Sequence, residues 1–164
     1  MSNKNYIPKP IFDTIEEIIN QYKNIRDSDN PQHVVREWFN LCFADLDISI
    51  PSYAFKDFQS ALNFLYSYRG SHDTFVAYRR DLERFLQWSW FVREHSVLKH
   101  RREDIEAFIE FCLKPPKRWI GLKKVAKFKE TNGKRVSNPE WRPFEARISK
   151  QDHKKGGKEP DKSN

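Results

Sequence analysis

Ser71-His72-Asp73-Thr74-Phe75-Val76-Ala77-Tyr78-Arg79-Arg80-Asp81-Leu82-Glu83-Arg84-Phe85-Leu86-Gln87-Trp88 decides the fold class, because it carries the period of an amphipathic helix along its whole length. Phe75, Tyr78, Leu82, Phe85 and Leu86 recur at helical spacing and predict a buried stripe, while Arg80, Arg84 and Gln87 fall on the other side. A helix with an aromatic-aliphatic inner stripe and arginines outside can lie along a phosphate backbone.

Working outward, residues 53–68 predict a helix that buries Phe55, Phe58, Leu62 and Leu65, ended by Arg69-Gly70 with Gly70 as its C-cap. Ser71 or Asp73 caps the helix that follows. Residues 95–99 read as a loop, and 103–113 as a helix with Ile105, Phe108, Ile109 and Cys112 inward, stopped by Pro115-Pro116. Nearer the N-terminus, residues 11–25 predict a helix with the stripe Ile11, Ile15, Ile18, Ile19 and Tyr22. A second helix over 32–43 buries Val34, Val35, Trp38, Leu41 and Cys42, and the turn cluster Asp27-Ser28-Asp29-Asn30-Pro31 separates the two. Ile48-Ser49-Ile50-Pro51-Ser52 reads as an extended connector. Beyond Pro116 the pattern changes. Trp119, Leu122, Val125 and Phe128 keep some local period up to the turn signal Thr131-Asn132-Gly133, and 136–148 look extended and proline-bounded.

The chain has 164 residues, enough for one domain with a real core, and its 15% aromatic content argues for packing over disorder. The net charge of +7 is unevenly placed: residues 1–97 hold 11 Lys+Arg against 13 Asp+Glu, and residues 98–164 hold 19 against 10. Within 114–135, nine basic residues face the single acid Glu130. Such a field seeks a polyanion. No apolar run approaches the ~20 residues of a membrane span, and Pro and Gly break up the basic segment as an interfacial helix. No secretory apolar run follows Met1, so a cytoplasmic, membrane-free protein is expected. Cys42 and Cys112 read as buried free thiols, and the five histidines show no zinc spacing.

Three stretches, in order, resemble the N-terminal core-binding domain of tyrosine recombinases (phage-type integrases). They are the Ser-capped run with Ala77-Tyr78-Arg79-Arg80-Asp81-Leu82, then Arg102-Glu103-Asp104-Ile105-Glu106-Ala107-Phe108-Ile109, then Pro115-Pro116-Lys117-Arg118-Trp119-Ile120 with Asn138-Pro139-Glu140-Trp141-Arg142-Pro143-Phe144. The last pair is similar to a loop insertion of one branch of these enzymes. The resemblance covers residues 54–150. Arg101 departs from it, standing where the family has a Ser or Thr cap, at a cost of about 1 kcal/mol.

The resemblance implies an all-α, SAM-like helical bundle that grips duplex DNA at a recombination half-site. Other recombinase protomers would be partners on the DNA, and neither cofactor nor metal would be needed. Three regions are expected: a helical arm over 1–50, the core-binding domain over 51–148 with a basic insertion from about 114, and a disordered linker or tail over 149–164. Arg79, Arg80 and Arg84 become phosphate contacts, with Ser71 and Thr74 adding hydroxyls near a helix N-terminus. From the basic segment come Lys117, Arg118, Lys123, Lys124, Lys127, Arg135 and Arg142. Trp119 and Trp141 anchor that segment rather than read bases. On composition alone the arginine face reads first as a solvated surface with internal ion pairs, and it is the resemblance that favours phosphate.

The family cleaves DNA with two arginines, a His-x-x-Arg motif and a tyrosine, all in a separate C-terminal domain. His33-Val34-Val35-Arg36 with Tyr66 and Tyr68 copies that spelling but precedes the core-binding stretch, so it reads as coincidence. The chain is expected to carry no active site, as the N-terminal piece of a longer recombinase or a truncated gene product. A stand-alone DNA-binding regulator, an RNA-binding helical protein and a protein–protein adaptor stay open beside it.

Overall fold

A computed structural model of the chain describes residues 5–146; the tail expected over 149–164 lies outside the described residues. Five α-helices dominate: α1 (Ile15–Arg26), α2 (Pro31–Cys42), α3 (Ala54–Ser67), α4 (His72–Trp88) and α5 (Arg102–Leu113). The fold is mostly helical, as the periodicity predicts, but not all-α. Four short strands follow α5: β1 (Ile120–Gly121), β2 (Phe128–Thr131), β3 (Lys134–Ser137) and β4 (Phe144–Glu145). β1 and β4 form a short parallel bridge, and β2 and β3 an antiparallel hairpin. Asn132 and Gly133 both take positive φ (52° and 76°) between the paired Thr131 and Lys134, a two-residue turn whose twist suits a hairpin. The Asn-Gly dipeptide therefore makes a ribbon, where the sequence reading stopped at a turn.

The chain divides into two compact units: residues 11–100, and residues 5–10 together with 101–146. The boundary expected near residue 50 falls inside the first unit, and the stretch expected as one core-binding domain is divided at 100/101. The N-terminal helices are no appended arm. Phe12 stacks on Phe58 (5.7 Å), Trp38 meets the same ring edge-on (5.8 Å), and Phe39 packs on Phe55, Phe58 and Trp90. The apolar face of α3 needs these rings to leave water.

The first unit also corrects several expected faces. α1 starts at the Thr14 cap, so Ile11 is buried ahead of it with its amide bonded to the buried Glu83 carboxylate (2.7 Å). Leu41 is 75% exposed, and Phe39 takes the core position instead. Gly70 does not adopt a left-handed cap; Tyr68 closes α3 by donating to the Leu65 and Tyr66 carbonyls. On α4 the buried residues are Phe75, Glu83, Leu86, Gln87 and Trp88. Gln87, assigned outward, is inward and donates to the Glu83 carbonyl. Tyr78, assigned inward, lies outside in a cluster with Phe64 and Tyr68. Glu83 and Gln87 can occupy the buried side because their hydrogen bonds are made.

α4 runs into a five-residue π-helical turn, Ser89–Arg93, and Glu94 leaves it in the left-handed region (φ 60°). The buried Asp57 carboxylate fixes this reversal, accepting from the Trp90 indole N–H (3.0 Å), the Ser96 hydroxyl (2.8 Å) and the Val97 amide (3.0 Å).

In the second unit, the Asp104 carboxylate accepts the Arg101 amide (2.7 Å), so α5 is capped from its third residue despite lacking a Ser or Thr. Ile105 and Ile109, expected inward, are exposed, while Phe111 faces the core and meets Trp119 edge-on at 4.9 Å. Trp119 is fully buried against Tyr6 and Phe111, with Phe144 packed on the same Phe111 ring. It anchors the basic segment, as expected.

Candidate nucleic-acid interface

The second unit builds a cationic cleft. Pro115-Pro116 ends α5 and delivers a 3₁₀ turn, Lys117–Trp119, whose tryptophan plugs into the core. With Trp119 fixed inward, its neighbours lie at the rim. β1 then pairs with β4 through Ile120↔Phe144 and Gly121↔Glu145, and the Ala146 amide closes the bridge on the Gly121 carbonyl (2.9 Å). This pairing brings residues 117–125 beside residues 140–142. The result is a cleft of about 530 Å³ lined by Lys117, Arg118, Lys123, Arg142, Leu122 and Glu140, among others. Four cations face one carboxylate, in a volume typical of ligand clefts.

The cations are held differently. Arg118 Nε donates to the Tyr6 carbonyl (3.1 Å), which orients its guanidinium. Arg142 Nη1 donates to the Pro139 and Trp141 carbonyls (2.8 and 2.7 Å). A five-donor guanidinium held through one nitrogen keeps others for an anion. Lys117 and Lys123 are exposed ammonium groups on the rim. Gly121 is buried, and a Cβ there would meet Arg142 Cβ and the Lys123 carbonyl, both at 3.5 Å.

Of the other expected basic contacts, Lys124 is exposed but does not line the cleft. Lys127 is half-buried with its ammonium 5.1 Å from the Trp141 ring centre, and Arg135 sits 5.1 Å over Phe128 on the hairpin. Glu140, the acid in the cleft, was not singled out in the sequence. Nor was the ribbon that presents Lys129, Thr131 and Lys134, although Asn-Gly between two four-residue segments is its signal.

The α4 surface belongs to the first unit and gives less. Ser71 Oγ donates to Thr74 Oγ1 (3.0 Å), a bond that uses the Ser71 proton and leaves the Thr74 hydroxyl proton for another acceptor. Arg79 is half-buried. Its Nη1 donates to the Asp13 carbonyl (3.0 Å), and burial lowers its pKa from the usual arginine value, with Asp13 opposing. Contrary to the phosphate contact expected of it, Arg79 ties α4 to the segment before α1. Arg80 is exposed and meets Asp81 through Nε at 3.2 Å, an exposed pair of little strength that leaves its terminal guanidinium nitrogens to donate elsewhere. Arg84 is half-buried.

His33 pairs with Glu37 at 3.0 Å on the exposed side of α2, and Arg36 stacks on Phe55 at 3.7 Å. The two side chains are thus engaged separately. Tyr66, the tyrosine downstream of them, stacks on Tyr22 (3.9 Å). Burial beside Tyr66 pushes the Tyr22 phenol up to about 12, and burial raises Tyr6 well above the ordinary tyrosine value. No helix among the described residues is long and apolar enough to cross a membrane. Compared with known protein-family models, curated proteins and solved structures, the chain matches none.

Proposed function

We propose that the chain binds duplex DNA through the basic second unit, as the DNA-gripping core-binding part of a tyrosine recombinase without catalytic residues of its own. The observation that carries the binding half is the cleft: Lys117, Arg118, Lys123 and Arg142, separate in the sequence, line one concave surface with Glu140 as its only acid among the described residues. A polyphosphate neutralises such a surface and releases its counterions. The recombinase half, and the SAM-like arrangement of the helices with it, rest on the ordered resemblance over residues 54–150. On α4 the contacts are reduced to Ser71, Thr74, Arg80 and Arg84, with Arg79 as structural support.

A titration of labelled duplex DNA with the full chain from 50 to 200 mM salt tests the binding half. The expected result is tight binding at low salt that weakens steeply. Equal or better competition by structured RNA at fixed salt would move the reading to RNA, and no binding at 50 mM would leave a protein–protein adaptor.

A further inference from the structure

We infer that the β2–β3 hairpin is a two-stranded ribbon that enters the DNA major groove and reads base edges there, so that the chain has sequence preference of its own. This rests on the duplex-binding reading above and adds the element that specifies.

The register puts Lys129 opposite Val136 and Thr131 opposite Lys134, so these four side chains share one face. All four are exposed. The opposite face carries Phe128, Glu130, Arg135 and Ser137. Its base is half-buried at Phe128 and Ser137, while Glu130 and Arg135 nearer the tip are exposed, with the Arg135 guanidinium over the Phe128 ring. The first face is open to solvent at all four residues.

Its composition suits a groove floor. Two lysines donate to guanine O6 and N7 or to phosphates at the rim, the threonine hydroxyl donates or accepts, and the valine methyls match a thymine methyl.

The size also fits. Four-residue strands are about 13 Å long and lie about 4.8 Å apart. The B-form major groove is about 12 Å wide and 8.5 Å deep, and admits such a ribbon. The narrow major groove of an RNA duplex does not.

The ribbon is stiff at both ends. The Asn132-Gly133 turn fixes its tip. At its base, Asn138 donates its side-chain amide to the Ala126 carbonyl (2.7 Å) and its backbone N–H to the Lys127 carbonyl (2.9 Å). A preformed ribbon loses little entropy on insertion.

The test is selection of binding sites from a random duplex pool by the full chain, alongside Thr131→Ala/Val136→Ala and Lys129→Ala/Lys134→Ala variants. All these positions are exposed, so folding is checked only by circular dichroism. The wild type is expected to enrich a short motif. The Thr131/Val136 variant should lose the motif while keeping its salt dependence. The Lys129/Lys134 variant should weaken binding, with a log–log salt slope shallower by about 0.9 for each lysine that meets a phosphate rather than a base edge. Methyl green, a major-groove ligand, should displace the protein, and the minor-groove ligand distamycin should not. The same motif from the Thr131/Val136 variant, or displacement by distamycin alone, overturns the ribbon assignment and leaves duplex binding standing. Failure of the wild type to bind duplex at low salt overturns both.

Discussion

Removing Lys117 and Lys123 together tests the cleft most directly. Both ammonium groups are exposed at its rim, so their loss should leave the fold intact. Each phosphate neutralised contributes about 0.9 to the slope of log affinity against log salt. Four cleft cations contribute a slope of about −3.6, equivalent to a roughly 150-fold loss of affinity between 50 and 200 mM salt. Lys117→Ala/Lys123→Ala keeps two of them, for about −1.8 and roughly 12-fold. Whatever other contacts the chain makes, the variant's slope should be shallower by about 1.8, and its affinity should approach the wild-type value by about 12-fold across that range. The assay is fluorescence anisotropy with one labelled duplex at five salt concentrations, with Lys23→Ala on the exposed face of α1 as a control. Parallel lines for variant and wild type would refute the cleft as a phosphate site. Half that change in the Lys23 variant, which loses one charge where the cleft variant loses two, would show that net charge, not the cleft, sets the slope.

Asp57→Ala should destabilise the first unit by about 3–6 kcal/mol, because the Trp90, Ser96 and Val97 donors lose their acceptor inside the protein; urea unfolding followed by tryptophan fluorescence measures it. The two α4 arginines should separate. Arg79→Ala should lower stability by about 1–2 kcal/mol and leave the salt slope alone, whereas Arg80→Ala should leave stability alone and flatten the slope by about 0.9. The Tyr22 phenol is raised to about 12, so the folded state holds a proton that the unfolded chain releases near 10. Stability from this group is complete below pH 10 and is lost as pH rises toward about 12; thermal melts at pH 9 and 11 should show a fall that Tyr22→Phe reduces.

The recombinase resemblance puts an arginine face on α4, and the structure redistributes it. Arg79 lies at i+4 from Phe75 and i−4 from Glu83, on the side that packs toward the segment before α1. The apolar pattern alone centred the inner stripe nearer Tyr78. Satisfied polar residues on the buried side shifted it, and no count of hydrophobic residues detects them.

By itself, the sequence determined the five helices, the stop at Pro115-Pro116, the anchoring role of Trp119 and the concentration of positive charge after residue 98. These are local matters of period, backbone restriction and composition. That α1 and α2 complete the core of the first unit is a matter of three-dimensional packing, since it depends on which rings Phe58 meets. The fold alone brought Arg142 to Lys117 and Lys123, through the β1–β4 bridge. The register of the β2–β3 hairpin follows from its local Asn132-Gly133 turn, but that Lys129, Thr131, Lys134 and Val136 all stay exposed appears only in the fold, because burial depends on what packs against the ribbon.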